Sequence, residues 1–319
     1  MKNIIAIIAG DPESINSELI AKAWKKKHLF KNINIFIIGN FKLINKQLNL
    51  LNIKINTEKI LDLKQKNFHK NLLVYDVPIA FKKPFKINLK SKRKYVLRCL
   101  KKGIELAKQK KIQGFVNCPI NKKDIFKSNF GVTEFLAKNS HILGKEAMII
   151  YNKKFSVCPI TTHIKVKNIS KNLSKQKIFE KILTINKFYL ANFGFKPKIC
   201  VLGLNPHNYE LKNNSEEKKI ILPVIIKLKK RGIKVSGPVP ADTAFIKNTK
   251  FDIYVGMYHD QVLTPFKALF NFNAINVTAG LPYLRVSPDH GTGKNIIKKN
   301  LANPFSLIES INFFKHINV

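Results

Sequence analysis

The chain has 319 residues, 45% of them hydrophobic, with 58 Lys and Arg against 19 Asp and Glu for a formal charge of +39. That length and apolar content suit the core of two domains or of one large α/β unit, and no stretch approaches the apolar run needed to span a bilayer. The charge first suggests nucleic acid, but the lysines spread over almost every polar segment, without a ribonucleoprotein-type aromatic motif, zinc-finger spacing or Arg-rich arm, so no specific nucleic-acid partner is expected. Cys99, Cys118, Cys158 and Cys200 lie far apart and form neither a zinc ribbon nor a disulfide framework.

Ile4 to Ala9 reads as a buried strand ending at Gly10-Asp11-Pro12-Glu13, too short a run and too soon followed by acid to be a secretory leader. Ser17 to Trp24 then has helical apolar spacing, and Ile33 to Ile38 is a second strand. A helix-like segment, a short strand near Ile53, a strand at Leu72 to Tyr75 and a Pro-containing loop from Val77 to Leu89 follow. Tyr95 to Gln109 is an amphipathic helix feeding the strand Gly114 to Asn117. After Cys118-Pro119-Ile120-Asn121-Lys122 comes a short helix, and Gly131 to Phe135 opens another. Strands are expected at Ala147 to Tyr151, Phe155 to Ile160, Ile199 to Leu204 and Ile253 to Met257, with helices at Ile178 to Phe193, Glu216 to Lys230 and Pro304 to Phe314. Alternating strands and helices predict an α/β fold in which helices cover a parallel or mixed sheet.

Three histidines share one context. His163, His207 and His259 each follow an apolar strand, and in a parallel sheet such strand ends lie along one edge. Three neutral imidazoles there suit a divalent metal with a position left open for substrate. Any one of them alone would read as a strand cap. His28, His69 and His316 sit in Lys-rich or polar settings and read as solvated. Beyond His259 come Asp260, Lys267, Asn276 and Arg285, then Asp289-His290-Gly291-Thr292; a cation, an amide and a guanidinium near an imidazole suit a small phosphorylated or carboxylated substrate. No Gly-x-Gly-x-x-Gly, Walker A loop or Gly-x-Ser-x-Gly elbow occurs, which leaves metal-assisted chemistry as the positive signal.

These motifs closely resemble the 4-hydroxythreonine-4-phosphate dehydrogenase family: GDPES, NCPINK, GVTEFLA, TTHI, GLNPH, GPVPADTAF, GMYHDQVLTPFK, INVTAGLPYLR and DHGTG run in family order from Gly10 to Gly293. The resemblance implies two α/β/α domains around a mixed, largely parallel sheet, similar to isopropylmalate and isocitrate dehydrogenases. The first domain would comprise residues 1–128 plus 290–319, and the second, 129–289, would carry most metal and substrate residues. It further implies a homodimer with its site in the interdomain cleft at the dimer interface; the lack of a membrane-length apolar run leads to the expectation of a cytoplasmic protein. His163, His207 and His259 would be ligands, drawn from both subunits, to zinc, magnesium or cobalt. Thr133, Lys267, Asn276 and Arg285 would be substrate contacts, with Lys267 also in the catalytic set, and Asp260 would relay a proton or orient an imidazole. NAD or NADP would oxidise 4-phosphohydroxy-L-threonine, and the keto acid would lose carbon dioxide to give 3-amino-2-oxopropyl phosphate, a step toward pyridoxal phosphate. Val132 stands where the family has a histidine, and Asn208 to Lys212 replace a glycine-rich loop. Val132 favours, as an alternative, a related dehydrogenase of another phosphorylated hydroxy acid. The charge alone favours a third reading, a polyanion-binding protein.

Overall fold

The computed structural model describes residues 4–63, 67–68, 70–126, 131–246, 250–271 and 273–317, so His69 lies outside the described residues. The strands are β1 (Ile4–Ile8), β2 (Asn34–Gly39), β3 (Thr57–Ile60), β4 (Leu72–Asp76), β5 (Gly114–Asn117), β6 (Ala147–Tyr151), β7 (Ser156–Thr161), β8 (Ile199–Leu202), β9 (Val235–Val239), β10 (Ile253–Tyr258), β11 (Ile275–Ala279) and β12 (Leu284–Pro288). Two compact units contain them, one built from Met1–Leu136 with Pro282–His316, the other from Ala137–Leu281. The α/β class expected from the alternation is what the chain adopts.

In the first unit the strand order is β3-β4-β2-β1-β5-β12, parallel throughout. Ile5 to Ile8 are fully buried, as a strand covered on both faces requires. The helix Leu89–Lys108 packs over β1 and β5 and starts earlier than Tyr95, because Asn88 caps it by accepting from Lys90 and Ser91 N–H. Its first turns carry Lys90, Ser91, Lys92 and Arg93, so apolar periodicity cannot reveal them. The strand expected near Ile53 lies instead at Thr57–Ile60. Asn52 takes a left-handed conformation after the helix Phe41–Leu50, and Ile53 N–H closes back on Leu48 C=O at 3.0 Å, so buried Ile53 serves as the apolar residue of a helix C-cap.

The second unit has the order β11-β6-β7-β10-β8-β9. β7, β10, β8 and β9 are parallel, whereas β6 runs antiparallel to both β7 and β11. Its core is aromatic: Phe155 meets Tyr254 and Phe266 edge-on at centroid distances of 5.2 and 5.6 Å. The helix His259–Phe270 turns back from the end of β10 and buries Val262, Leu263 and Phe266 in that core. The expected helix Glu216 to Lys230 divides into a wide turn, Glu217–Ile221, and an α-helix, Leu222–Lys230, where Pro223 occupies the first turn and supplies no N–H.

Candidate functional site

β7, β10 and β8 are adjacent and parallel, so the chain segments bearing His163, His259 and His207 leave the same edge of the sheet. His163 sits at the apex of a tight turn closed by Ile164 N–H to Thr162 C=O at 2.6 Å, and it is exposed. His259 is the first residue of its helix, directly after the strand. The two imidazoles lie side by side with ring centroids 5.7 Å apart.

The Asp260 carboxylate meets His259 Nδ1 at 2.7 Å. When Nδ1 carries the proton it donates to that carboxylate, and the Nε2 lone pair is left as the ligating position. Of the two roles expected for Asp260, proton relay and orientation of an imidazole, this contact is of the kind the second would use. Two adjacent imidazoles, one of them oriented by a carboxylate, fit a borderline divalent cation.

His207 is placed differently. Its side chain is 80% exposed, and Nε2 lies 3.7 Å from Asp242 Oδ2. Among the described residues no three His, Cys, Asp or Glu side chains gather closely enough to hold a metal ion, so within one chain His207 does not join the His163–His259 pair. The backbone from His207 to Leu211 is left-handed at every residue, with φ between 46° and 57°. For residues with a Cβ this costs about 1 kcal/mol each, a cost that a glycine-rich loop avoids. Asn208 anchors the turn: its Nδ2 donates to Pro238 C=O at 3.0 Å, and its Oδ1 occupies the space a Cβ on Gly203 would need.

Asn276 lies on β11, and its Oδ1 is buried without a hydrogen-bond partner in the chain, the condition of an acceptor awaiting a ligand's donor. Lys267 is half-buried, about 12 Å along the same helix from His259. Arg285, Thr133 and Val132 belong to the other unit. Arg285, on β12, is 3% exposed; its Nε donates to Asn117 Oδ1, and burial pushes its pKa down to about 10, against the opposing pull of the Glu134 charge. Val132 is buried at the start of the helix Val132–Asn139, and Thr133 beside it is half-buried. His28 and His316 are exposed, as expected of solvated residues.

Residue patterns gave no signal for the ionic cluster at the ends of β1 and β5. There Lys92 Nζ meets Glu13 Oε2 at 2.6 Å and Asp124 Oδ2 at 2.7 Å, while buried Asp11 accepts from the N–H groups of Glu13 and Asn121. Burial raises the pKa of Asp11, partly opposed by those hydrogen bonds and by the Lys92 charge. The cluster ties the Gly10 to Glu13 turn to Asn121 and Asp124.

A family model described as "Pyridoxal phosphate biosynthetic protein PdxA" matches residues 31–314. A 4-hydroxythreonine-4-phosphate dehydrogenase of Sulfurihydrogenibium sp. is 40% identical over 315 residues, 96% of each chain. A D-threonate 4-phosphate dehydrogenase of Salmonella typhimurium is 33% identical over 321 residues, again 96% of each. The crystal structure of 4-hydroxythreonine-4-phosphate dehydrogenase from Klebsiella pneumoniae is similar with a TM-score of 0.87 and 28% identity, covering 98% of this chain and 99% of that one. Among the described residues no helix is long and apolar enough to cross a membrane.

Proposed function

The chain belongs to the PdxA family of pyridoxal phosphate biosynthetic proteins, and from that premise we propose that it oxidises 4-phosphohydroxy-L-threonine with NAD or NADP in the presence of zinc, magnesium or cobalt. The product is 2-amino-3-oxo-4-(phosphooxy)butanoate, a β-keto acid that loses carbon dioxide to give 3-amino-2-oxopropyl phosphate. The observation that carries this reading is the His163–His259 pair at the ends of adjacent parallel strands, with Asp260 on His259 Nδ1.

His163, His259 and His207 would hold the cation, which when bound supplies Lewis acidity toward a hydroxyl oxygen. Asp260 would keep the His259 ring in the ligating tautomer or relay a proton. Arg285, already desolvated, would hold an anionic group of the substrate more strongly than a surface cation could. Lys267 and Thr133 would add contacts to the substrate, and Asn276 Oδ1 would accept a hydrogen bond from it. A homodimer that brings in a histidine from a second copy accounts for a ligand set that one chain leaves in two parts.

Absorbance of the reduced nicotinamide, followed with purified protein and 4-phosphohydroxy-L-threonine, tests the reading. Turnover should vanish with a chelator and return with a divalent metal; a folded, metal-loaded dimer that fails with either coenzyme would refute it. A second reading, oxidation of D-threonate 4-phosphate, is favoured by Val132, which cannot donate the hydrogen bond of the family histidine. The same assay with that substrate decides between them through the ratio of kcat/KM values.

A further inference from the structure

We propose that Gln261 is a positioning residue that fixes the spacing between the histidine-bearing strand ends, and that Thr161 and Glu217 continue the same brace on either side. The proposal rests on the reading that these histidines bind a divalent metal. The ladder between β10 and β8 pairs Ile253 to Val255 with Ile199 to Val201. Beyond it the side-chain amide of Gln261 bridges the two strands. Its Oε1 accepts from Met257 N–H at 2.7 Å, and its Nε2 donates to Gly203 C=O at 2.6 Å.

On one side, Thr161 Oγ1 donates to Met257 C=O at 2.7 Å and ties β7 to β10 two residues before His163. On the other, the fully buried Glu217 accepts from Leu204 and Asn205 N–H at 2.7 and 2.8 Å, fixing the turn that leads to His207. Every contact lands within a few residues of one of the three histidines. An amide is the group the gap requires, since one end must accept and the other donate. Two glycines lie against the brace: a Cβ on Gly256 would meet Val262 Cγ1 at 2.5 Å and Gln261 Oε1 at 3.0 Å, and one on Gly203, besides colliding with Asn208, would stand 3.2 Å from Glu217 Oε1.

Three variants separate this role from simple stabilisation: Gln261→Leu removes both bonds, Gln261→Glu keeps the acceptor but loses the donor, and Thr161→Val removes the neighbouring bond. The readouts are Co²⁺ affinity by competition with a chromophoric chelator, the visible spectrum of bound Co²⁺, and thermal unfolding of the metal-free protein. Gln261→Leu is expected to weaken Co²⁺ binding by about ten- to hundredfold and to change its spectrum; the two missing bonds also lower metal-free stability, and the changed spectrum is the readout that a loss of stability alone would not produce. Gln261→Glu should fall between it and the wild type. If Gln261→Leu does not fold, Gln261→Glu and Thr161→Val decide on the same readouts.

Wild-type Co²⁺ affinity and spectrum in these variants, with affinity lost in His259→Ala, would overturn the brace and leave the metal assignment standing. Equal affinity in the wild type and His259→Ala would overturn both.

Discussion

At the ends of β1 and β5, chain segments are held by charge: Lys92, 3% exposed, lies between Glu13 and Asp124. At the ends of β7, β10 and β8, the groups that link one strand to the next, Thr161 and Gln261, are neutral, and the one buried carboxylate of the brace, Glu217, accepts from backbone N–H groups. Both arrangements fix loops at the carboxyl edge of a parallel sheet, but they leave different chemistry available. A buried ion pair is tolerated as a completed set, because removing one partner strands the other without solvent, and its members are committed to each other. A hydroxyl and an amide hold backbone groups without adding charge, so the imidazoles beside them remain available to a cation. The first edge therefore reads as scaffold and the second as the place for chemistry. Arg285, a buried cation that donates to the neutral Asn117 and feels the Glu134 charge, combines the two patterns within the first unit.

Removing that buried cation should have the largest effect. Arg285→Met is expected to cost about 3 kcal/mol of substrate and transition-state binding, roughly two orders of magnitude in kcat/KM. Steady-state kinetics check it, and metal affinity should be unaffected. Lys92→Met should act on stability instead. It removes the shortest ion pair of each acid and leaves Asp124 the longer, 3.9 Å approach of Lys294, and since both acids retain some exposure the expected loss is about 2 kcal/mol in denaturant unfolding. Thr161→Val, which removes one neutral bond, should cost about 1 kcal/mol, and a larger loss there than at Lys92 would break the contrast.

The ionic edge should also carry a pH signature. The hydrogen bond with Lys92 holds the Asp124 pKa below its ordinary 3.8, so that carboxylate contributes stability above pH 3.8 and loses it as the pH falls through the folded value. Burial alone would lower the Lys92 pKa, but bonds to Asp124 and Glu13 hold it above 10.5, so its contribution is complete below pH 10.5 and lost as the pH rises further. Unfolding followed across pH should show both losses in the wild type; in Lys92→Met the alkaline loss should vanish and the acid loss should shrink, since Lys294 and Arg93 still lower the Asp124 pKa. The smallest effect is expected at Val132→His, which restores the family's donor and should raise kcat/KM for 4-phosphohydroxy-L-threonine by about fivefold.

How much of this was legible depended on how local each signal was. The three histidines stood out because each directly follows an apolar run, and the buried strands Ile5 to Ile8 and Ile253 to Met257 follow from composition alone. β11 and β12 did not stand out, since Asn276, Thr278, Arg285 and Ser287 interrupt their apolar runs and read as a substrate-binding segment. The helix from His259 was obscured by Pro265 in its interior. That β10 lies between β7 and β8 is a matter of topology, on which chain order is silent, and so is the separation of His207 from the other two imidazoles. Lys92 and Gln261 were invisible for the same reason: their partners Glu13 and Gly203 lie 79 and 58 residues away in the chain.

The measurement that most directly tests the central claim is the divalent metal retained per chain after dialysis, for the wild type against His259→Ala, by elemental mass spectrometry. A tightly held ion in the wild type that is lost from a folded His259→Ala protein, together with turnover, is the predicted result. Equal metal content and equal turnover in the two proteins would contradict the assignment of the β7–β10–β8 edge as the metal site.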